Sequence, residues 1–504
     1  MRKIVKSLFI FTSVLTMGAC SVDTKETTTA KSTNTSEKIE LSSGASEQTY
    51  TNPAEMKSSY DIIIVGAGGA GMSAAIEAKD AGMNPVIFEK MPVAGGNTLK
   101  SSSGMNASET KFQKANGIED SNDIFYEETL KGGGGTNNQA LLRYFVDHSA
   151  GAIDWLDQNG IKLDNLTITG GMSEKRTHRP SDGSAIGGYL VNGLLKNVHK
   201  RKIPVFVNTK VTEIKKNNGK VNEVTVQVQG EEPKEITGKA IVVTSGGYGA
   251  SEKFIEKYRP DLEGYVTTNQ SGSTGDGISM IEKLGGQVVD MDKIQIHPTV
   301  QQDEGVLIGE AVRGEGAILV NQEGERFVNE LDTRDKVSAA IPALPDKSAY
   351  LIFDQGVRER AKAIDFYEQK GYVISGDNVA ELAEKIALPQ EALAQTLNTW
   401  NEVVASKKDE QYRRTTAMEH DLSTPKYYAI KIAPGIHYTM GGVKVNTNTE
   451  VLNKENKVIT GLYTAGEVTG GLHGDNRIGG NSVAEIIIFG RQAGQQAAKF
   501  VSES

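Results

Sequence analysis

One cysteine, Cys20, in 504 residues excludes intrachain disulfides, Cys-rich zinc sites and iron–sulfur clusters. It equally excludes c-type haem, whose attachment needs Cys-x-x-Cys-His. Thirteen prolines are too few for a collagenous or Pro-rich disordered chain. Lys and Arg total 55 against 64 Asp and Glu, a net charge of −9 with no basic stripe, so nucleic acid is not expected as a partner. No metal centre is expected either. Glycine, by contrast, is plentiful at 55 residues, which suits turns and close backbone approaches. The length exceeds what a single hydrophobic core usually serves, so two or more domains are expected.

The N-terminus reads as an address. Arg2, Lys3 and Lys6 precede an apolar run from Leu8 to Met17, followed by Gly18-Ala19-Cys20. The run is too short to span a bilayer as a mature helix. It resembles a bacterial lipoprotein signal, with Met17 where Leu is usual. That resemblance implies a leader over residues 1–20, lipidation of Cys20 and an anchor on the outer face of the cell membrane. The alternative is an ordinary secretory peptide, and either places the mature chain outside the cytoplasm. Residues 21–58 are rich in Ser, Thr, Lys and Glu and poor in large apolar side chains, so a flexible tether is expected. Within them Ser42-Ser43-Gly44-Ala45-Ser46 resembles the core at which flavin transferases attach FMN through a phosphoester. Ser46 is then a possible FMN attachment site; the alternative is a chance string in a low-complexity tether.

The strongest local signal follows. Tyr60 to Val65 is a β-branched apolar run suited to a strand buried on both faces. Gly66-Ala67-Gly68-Gly69-Ala70-Gly71 comes next, then a helical stretch, then a second strand Pro85–Phe88 ending in Glu89. Glu89 stands 18 residues past Gly71, near the spacing that lets an acid reach a ribose hydroxyl. The glycines permit a tight turn and close approach to a pyrophosphate, which the helix N-terminus would hold with its amides and dipole.

Later segments extend the site. Asn97, Thr98, Ser103 and Gly104 lie in a second Gly/Ser-rich loop after Glu89. Glu467 follows a strand near the C-terminus, and Gly479-Gly480-Asn481-Ser482-Val483 opens a last apolar helix. Elements more than 400 residues apart converging on one ligand suit the long cofactor FAD better than NAD.

The strings D-I-I-I-V-G-A-G-G-A-G, E-K-M-P-V-A-G-G-N-T, H-R-P-S-D-G, S-T-G-D-G, I-H-P-T, G-E-A-V-R-G-E-G-A-I-L-V-N, D-T-R-D-K and D-N-R-I-G-G-N-S occur in one order. Together they resemble the flavoprotein of soluble fumarate reductases of the flavocytochrome c type, with urocanate reductase and other enoate reductases as relatives. The resemblance implies an α/β fold in which a Rossmann-type FAD-binding domain is interrupted by an α+β clamp domain. The expected boundaries are 59–294 and 436–504 for the FAD domain and 295–435 for the clamp. Cofactor contacts are implied at Gly66, Gly68, Ala70, Gly71, Glu89, Asn97, Thr98, Ser103 and Gly104. Further ones are implied at Val211 (near adenine), Asp276, Tyr438, Glu467, Ser482 and Val483.

It also implies the chemistry. Reducing an activated C=C bond needs a hydride from flavin, electron withdrawal from the alkene and a proton for the adjacent carbon. His297, Glu310, His437, Arg477 and Gly480 match substrate-binding positions. Arg334 matches the proton donor, and Glu310 and Arg313 match its relay, on one face at i, i+3 if helical. A guanidinium alone would not suggest this role, because its pKa lies above about 12. Met172 is a candidate pocket wall or simple packing. One departure is Gly309, where such fumarate reductases usually carry Thr as a hydroxyl donor; a backbone NH is the substitute left at that place. Fumarate is the lead substrate, with urocanate, acrylate-type and cinnamate-type acids as alternatives, and electrons are expected from an external membrane-linked donor. The rival class is an oxidase like succinate dehydrogenase or aspartate oxidase. Residues 209–237 read as strands with a hairpin at Asn217-Asn218-Gly219, and helices are expected near 378–385 and 390–405.

Overall fold

The computed structural model describes residues 49–504; Cys20 and Ser46 lie outside the described residues. Strand Ser59–Val65 explains its own composition. Ile62 and Ile64 enter the core shared with helix Gly69–Asp80, while Ile63 and Val65 enter a second core on the opposite face. Both faces are covered, so the run needs no alternation. Each such buried side chain contributes about 1.5–3 kcal/mol.

Among the described residues this strand belongs to an eight-stranded sheet. It pairs in parallel with Pro85–Phe88 on one side and Lys234–Val243 on the other. Val205–Phe206 and Val458–Thr464 extend the parallel sheet at its two ends. The expected hairpin is present: Thr209–Asn217 pairs antiparallel with Lys220–Val228. Its turn residues Asn218 and Gly219 both have positive φ, as a two-residue primed turn requires. The C-terminal helix Asn481–Glu503 lies across Gly69–Asp80 at backbone contact. A Cβ on Gly490 would stand 2.6 Å from Ala70 O, and one on Gly494 2.3 Å from Ala74 O. That packing sets the start of the first helix against Gly490, nine residues into the C-terminal helix, whose own N-terminus lies further along.

A second body has its own core, drawn from residues 308–432. Its six-stranded sheet pairs Ile294–Gln301 and Ala349–Asp354 with the long strand Tyr427–Thr439. Helices Val379–Lys385 and Gln390–Ser406 bury Leu382, Leu393 and Trp400 against it. The long strand runs straight through the expected 435/436 boundary. Its Ile430 and Ile432 lie in the core of this second body, and its Ile436 in the core that Ile63 and Val65 enter. One strand therefore joins the two bodies, and it carries His437 at the join.

The folded chain also begins earlier than Ser59, a correction to the expected tether. Tyr50 Oη accepts from Ala94 N at 2.7 Å, and Thr51 N donates to Val205 O at 2.9 Å. A single aromatic and a single hydroxyl pin this segment to the sheet edge, which a composition window cannot register.

Candidate active site

Two short helices present the charged cluster. Glu310 is the first residue of helix Glu310–Gly314 and Arg334 the first of helix Arg334–Ala340. Arg334 Nε donates to Glu310 Oε1 at 2.9 Å, and Thr169 Oγ1 donates to Glu310 Oε2 at 2.8 Å. Arg313, one turn beyond Glu310, approaches Oε1 at 3.7 Å. Burial pushes the Glu310 carboxyl up, but Arg334 and Arg313 outweigh it and hold it well below the usual carboxylate range.

Arg334 and Arg477 are tied by one acceptor. Gln295 Oε1 receives Arg334 Nη1 and Arg477 Nη2, each at 3.0 Å. Its Nε2 donates to Asn476 Oδ1 at 2.8 Å and Arg477 O at 2.6 Å, which fixes the amide orientation. Arg477 is 2% exposed, its Nε has no partner, and no carboxylate pairs with it among the described residues. Its guanidinium lies 4.3 Å over the Tyr438 ring. Burial, then the neighbouring Arg334, lower its pKa to about 10. Arg313 is likewise lowered to about 10, by burial first. Of the described carboxylates near these three buried guanidiniums only Glu310 forms an ion pair with them, although Glu330 also acts on Arg313 and Glu467 on Arg477. Arg477 is left without an ion-paired partner among the described residues, which favours an added anion.

Two histidines complete the ring. His297 and His437 have ring centroids 5.2 Å apart at 66°. His297 Nδ1 accepts from Thr299 N at 3.3 Å, so in the neutral ring Nε2 carries the proton, and that atom is buried without a partner. His437 Nδ1 shares a 2.7 Å hydrogen bond with Thr268 Oγ1. Burial, then Arg334, drive both imidazoles well below the usual histidine range, so both are neutral at neutral pH. Gly480 caps the C-terminal helix in a left-handed conformation. A Cβ on the adjacent Gly479 would stand 2.3 Å from Glu310 Oε2 and 3.0 Å from Arg334 Nη2. This glycine pair lets the backbone reach the charged cluster.

The nucleotide side is equally tight. Gly66 has φ +106, and a Cβ there would meet Thr244 O at 2.5 Å; one on Gly71 would meet Gly66 O at 2.0 Å. Gly68 caps helix Gly69–Asp80 in extended conformation, and Ala70 is buried in its first turn. Glu89 Oε2 accepts from Ala67 N and its Oε1 from Met91 N, both at 2.8 Å. Thr98 Oγ1 accepts from Gly69 N at 3.1 Å, which docks the second loop onto that helix start. Asn97 Nδ2 donates to Glu467 Oε2 at 3.1 Å, bridging positions 370 residues apart. Ser482 and Val483 lie in the first turn of the C-terminal helix, and Ser103 and Gly104 end the second loop.

Three other expected contact residues are engaged within the protein. Asp276 pairs with Lys90 at 3.0 Å and Lys210 at 3.1 Å. Val211 packs its side chain into the second core and pairs with Val226, leaving backbone as its available face. The Tyr438 hydroxyl donates to Glu485, which His473 Nε2 also approaches at 3.0 Å. Met172 is buried among apolar residues, with Arg176 Nη1 3.0 Å from its sulfur.

Sequence reasoning missed Gln295, Thr169 and Thr268. It also missed the support behind Arg313. Arg313 Nη1 donates to Glu330 O at 2.5 Å, and Arg414 Nη2 donates to Arg313 O at 2.8 Å. Gln295 stands in the quoted Ile-Gln-Ile-His string, so its position was visible and its role was not.

A family described as FAD binding domain matches residues 61–483. The chain belongs to this family. Over 441 residues it is 54% identical to NADH:fumarate oxidoreductase of Klebsiella pneumoniae (strain 342), covering 88% of this chain and 48% of that protein. The chain thus spans about half the length of that relative. It is 42% identical over 462 residues to a fumarate reductase (cytochrome) of Shewanella frigidimarina, covering 92% of this chain and 81% of that protein. Among solved structures, the open conformation of a flavocytochrome c3 fumarate reductase matches with TM-score 0.74 and 40% identity, covering 89% of this chain and 79% of that one. As a member of the family, the chain carries an FAD-binding domain. The residues fit the cofactor: the Gly66–Gly71 cradle has no space for a side chain at either end, and the helix N-terminus and Glu89 stand where pyrophosphate and ribose need them.

Proposed function

We propose that this flavoenzyme reduces the activated C=C bond of an unsaturated acid, fumarate to succinate first. The observation that carries this reading is the buried ring of Arg334, Arg477, His297 and His437 around Gln295 and Glu310. A plain nucleotide-binding domain has no use for three desolvated guanidiniums of which one, Arg477, lacks an ion-paired carboxylate among the described residues.

Bound FAD, held by the 66–71 loop, Glu89, Asn97, Thr98 and Glu467, would supply hydride from N5 to the substrate carbon. The protein does the rest. Arg477 and His437 grip one substrate carboxylate, and the Gly480 amide stands beside them at the start of the C-terminal helix. His297 Nε2–H is a second neutral donor. Cations fixed on that carboxylate withdraw charge as the adjacent carbon becomes carbanion-like. Arg334 then gives a proton to that carbon. A guanidinium can do this only where the proton is returned at once, and Glu310, bonded to Arg334 Nε and backed by Arg313, is placed to return it. Glu310 acts here as relay; its charge and its occupied oxygens make it a poor grip for an anionic substrate. Closure of the second body over the first would exclude water from this cluster.

We further infer an address and an electron source. The leader pattern supports lipidation at Cys20 and a site outside the cytoplasm on the membrane's outer face. A tethered enzyme there takes electrons from a membrane-linked donor, and Ser46 is the candidate attachment point for FMN. Globomycin-sensitive processing and mass spectrometry of the tether peptide test these two assignments. The reaction itself is tested by anaerobic reoxidation of reduced enzyme with fumarate, urocanate, acrylate and cinnamate; indifference to all four contradicts it.

A further inference from the structure

Gly309 immediately precedes Glu310 and follows the short strand Val306–Leu307, which pairs with the strand carrying His297. The expectation that its own NH serves as a donor fails, because Gly309 N already donates to Tyr367 Oη at 2.9 Å. The space above Gly309 is nevertheless filled by a hydroxyl. A Cβ built there would lie 2.8 Å from Ser102 Oγ, 3.2 Å from Ser102 Cβ and 3.6 Å from Tyr367 Oη. Ser102 is half-buried, and its hydroxyl makes no hydrogen bond among the described residues. Tyr367 is buried, and its phenol accepts from Gly309 but donates to no acceptor among the described residues. Two unused O–H donors therefore converge where the chain has left out a side chain.

A cation stands behind them. Arg179 is 5% exposed, its Nε is buried without a partner, and it makes no ion pair among the described residues. Its one hydrogen bond, Nη2 to Ser184 O, is long at 3.4 Å. The side-chain stem packs against Gly104, where a Cβ would meet Arg179 Cγ at 2.7 Å, two residues from Ser102. Burial pushes the Tyr367 phenol up to about 12, with the Gly309 NH and the Arg179 charge acting in the opposite direction. Leaving a buried guanidinium unpaired is costly, and an anion entering this corner would offset that cost.

We propose that Ser102, with Tyr367 beside it and Arg179 behind, forms a specificity subsite for the second carboxylate of a dicarboxylic substrate. Ser102 supplies the hydroxyl that Gly309 lacks. This assignment rests on the enoate-reductase reading of the same pocket. It selects dicarboxylates such as fumarate over monoacids such as acrylate, which would leave the subsite's donors unpaired.

The test is equilibrium titration of the oxidised, FAD-loaded enzyme with fumarate and with acrylate, followed by flavin absorbance, together with kcat/KM for each acid. Ser102→Ala should weaken fumarate binding on the order of tenfold or more and leave acrylate almost unchanged. The double variant Ser102→Ala, Gly309→Ser moves the hydroxyl across the gap and should restore most of the fumarate affinity. Arg179→Gln, which keeps donors but removes charge, should weaken fumarate more than acrylate. Equal losses for both acids, or no loss with Ser102→Ala, would overturn the subsite while leaving enoate reduction standing. A wild-type enzyme that reduces neither acid would instead overturn the reading beneath it.

Discussion

Arg334 and Glu310 each open a short helix, and they meet head to head: Arg334 Nε donates to Glu310 Oε1 at 2.9 Å with both side chains under a tenth exposed. The pair comes from helices that neither overlap nor pack as neighbours in sequence, so it exists only in the folded chain. Proton transfer by a guanidinium needs this partner. Arg334→Ala should lower kcat by about 10²–10⁴-fold while FAD content stays normal. Glu310→Gln keeps the size and one acceptor but removes the charge, and should lower kcat by a similar order. Its solvent isotope effect should rise as proton return becomes limiting. Stopped-flow measurement in H2O and D2O checks both.

Gln295 holds Arg334 and Arg477 in register without touching either with charge. Gln295→Leu removes both 3.0 Å bonds and frees two like charges to separate. The expected result is a tenfold or greater fall in kcat/KM, carried by KM and kcat together, since each lost bond to a charged group is worth about 1.5–3 kcal/mol. Gln295→Glu should be worse for kcat, because a carboxylate there competes with Glu310 for Arg334. Steady-state kinetics on the two variants separates geometry from charge.

The cofactor cradle has no slack at Gly71. A Cβ there would stand 2.0 Å from Gly66 O, so Gly71→Ala must displace the loop or the helix start. Overpacking of this kind costs about 1–3 kcal/mol. Purified Gly71→Ala should carry substoichiometric FAD by its visible-to-ultraviolet absorbance ratio, whereas Gly151→Ala, where a Cβ meets nothing, should load normally.

Acidification should destabilise the fold through a buried histidine outside the site. His178 Nδ1–H donates to Arg176 O at 2.7 Å and Nε2 bonds Thr110 Oγ1 at 2.8 Å, so the ring is built neutral. Burial lowers its pKa from the usual 6.5 to about 4. The unfolded chain therefore takes up a proton that the native chain refuses, and stability is lost as pH falls from about 6.5 toward 4. Glu89 and Glu467, raised by burial from the usual 4.5, act in the opposite direction as pH falls toward that value, so the comparison must be differential. Urea denaturation at pH 7 and 5 should show a smaller loss for His178→Gln than for wild type.

Much of this could be seen in the chain itself. The unit from Tyr60 to Glu89 was legible because its strand, glycine turn, helix and acid are contiguous. The hairpin was legible because Asn218-Gly219 imposes a turn. Arg334, Glu310 and Arg313 were legible only through the strings that surround them, since bare chemistry assigns a guanidinium to anion binding. What stayed hidden depends on tertiary contact. Gln295 reaches partners 39 and 182 residues away, and Tyr367 reaches Gly309 across 58. The anchor at Tyr50 is one side chain in a polar stretch, and the expected 435/436 boundary falls inside the long strand Tyr427–Thr439 because that strand serves both cores.

The central claim is that reduced flavin in this chain passes hydride to an olefinic acid held by Arg477 while Arg334 protonates it. Anaerobic stopped-flow mixing of reduced holoenzyme with fumarate tests it most directly. The oxidised flavin spectrum should return rapidly in wild type, with stoichiometric succinate, and fail to return in Arg334→Ala. Reoxidation of that variant at the wild-type rate, or reoxidation only by O2 with H2O2 as product, would contradict the account.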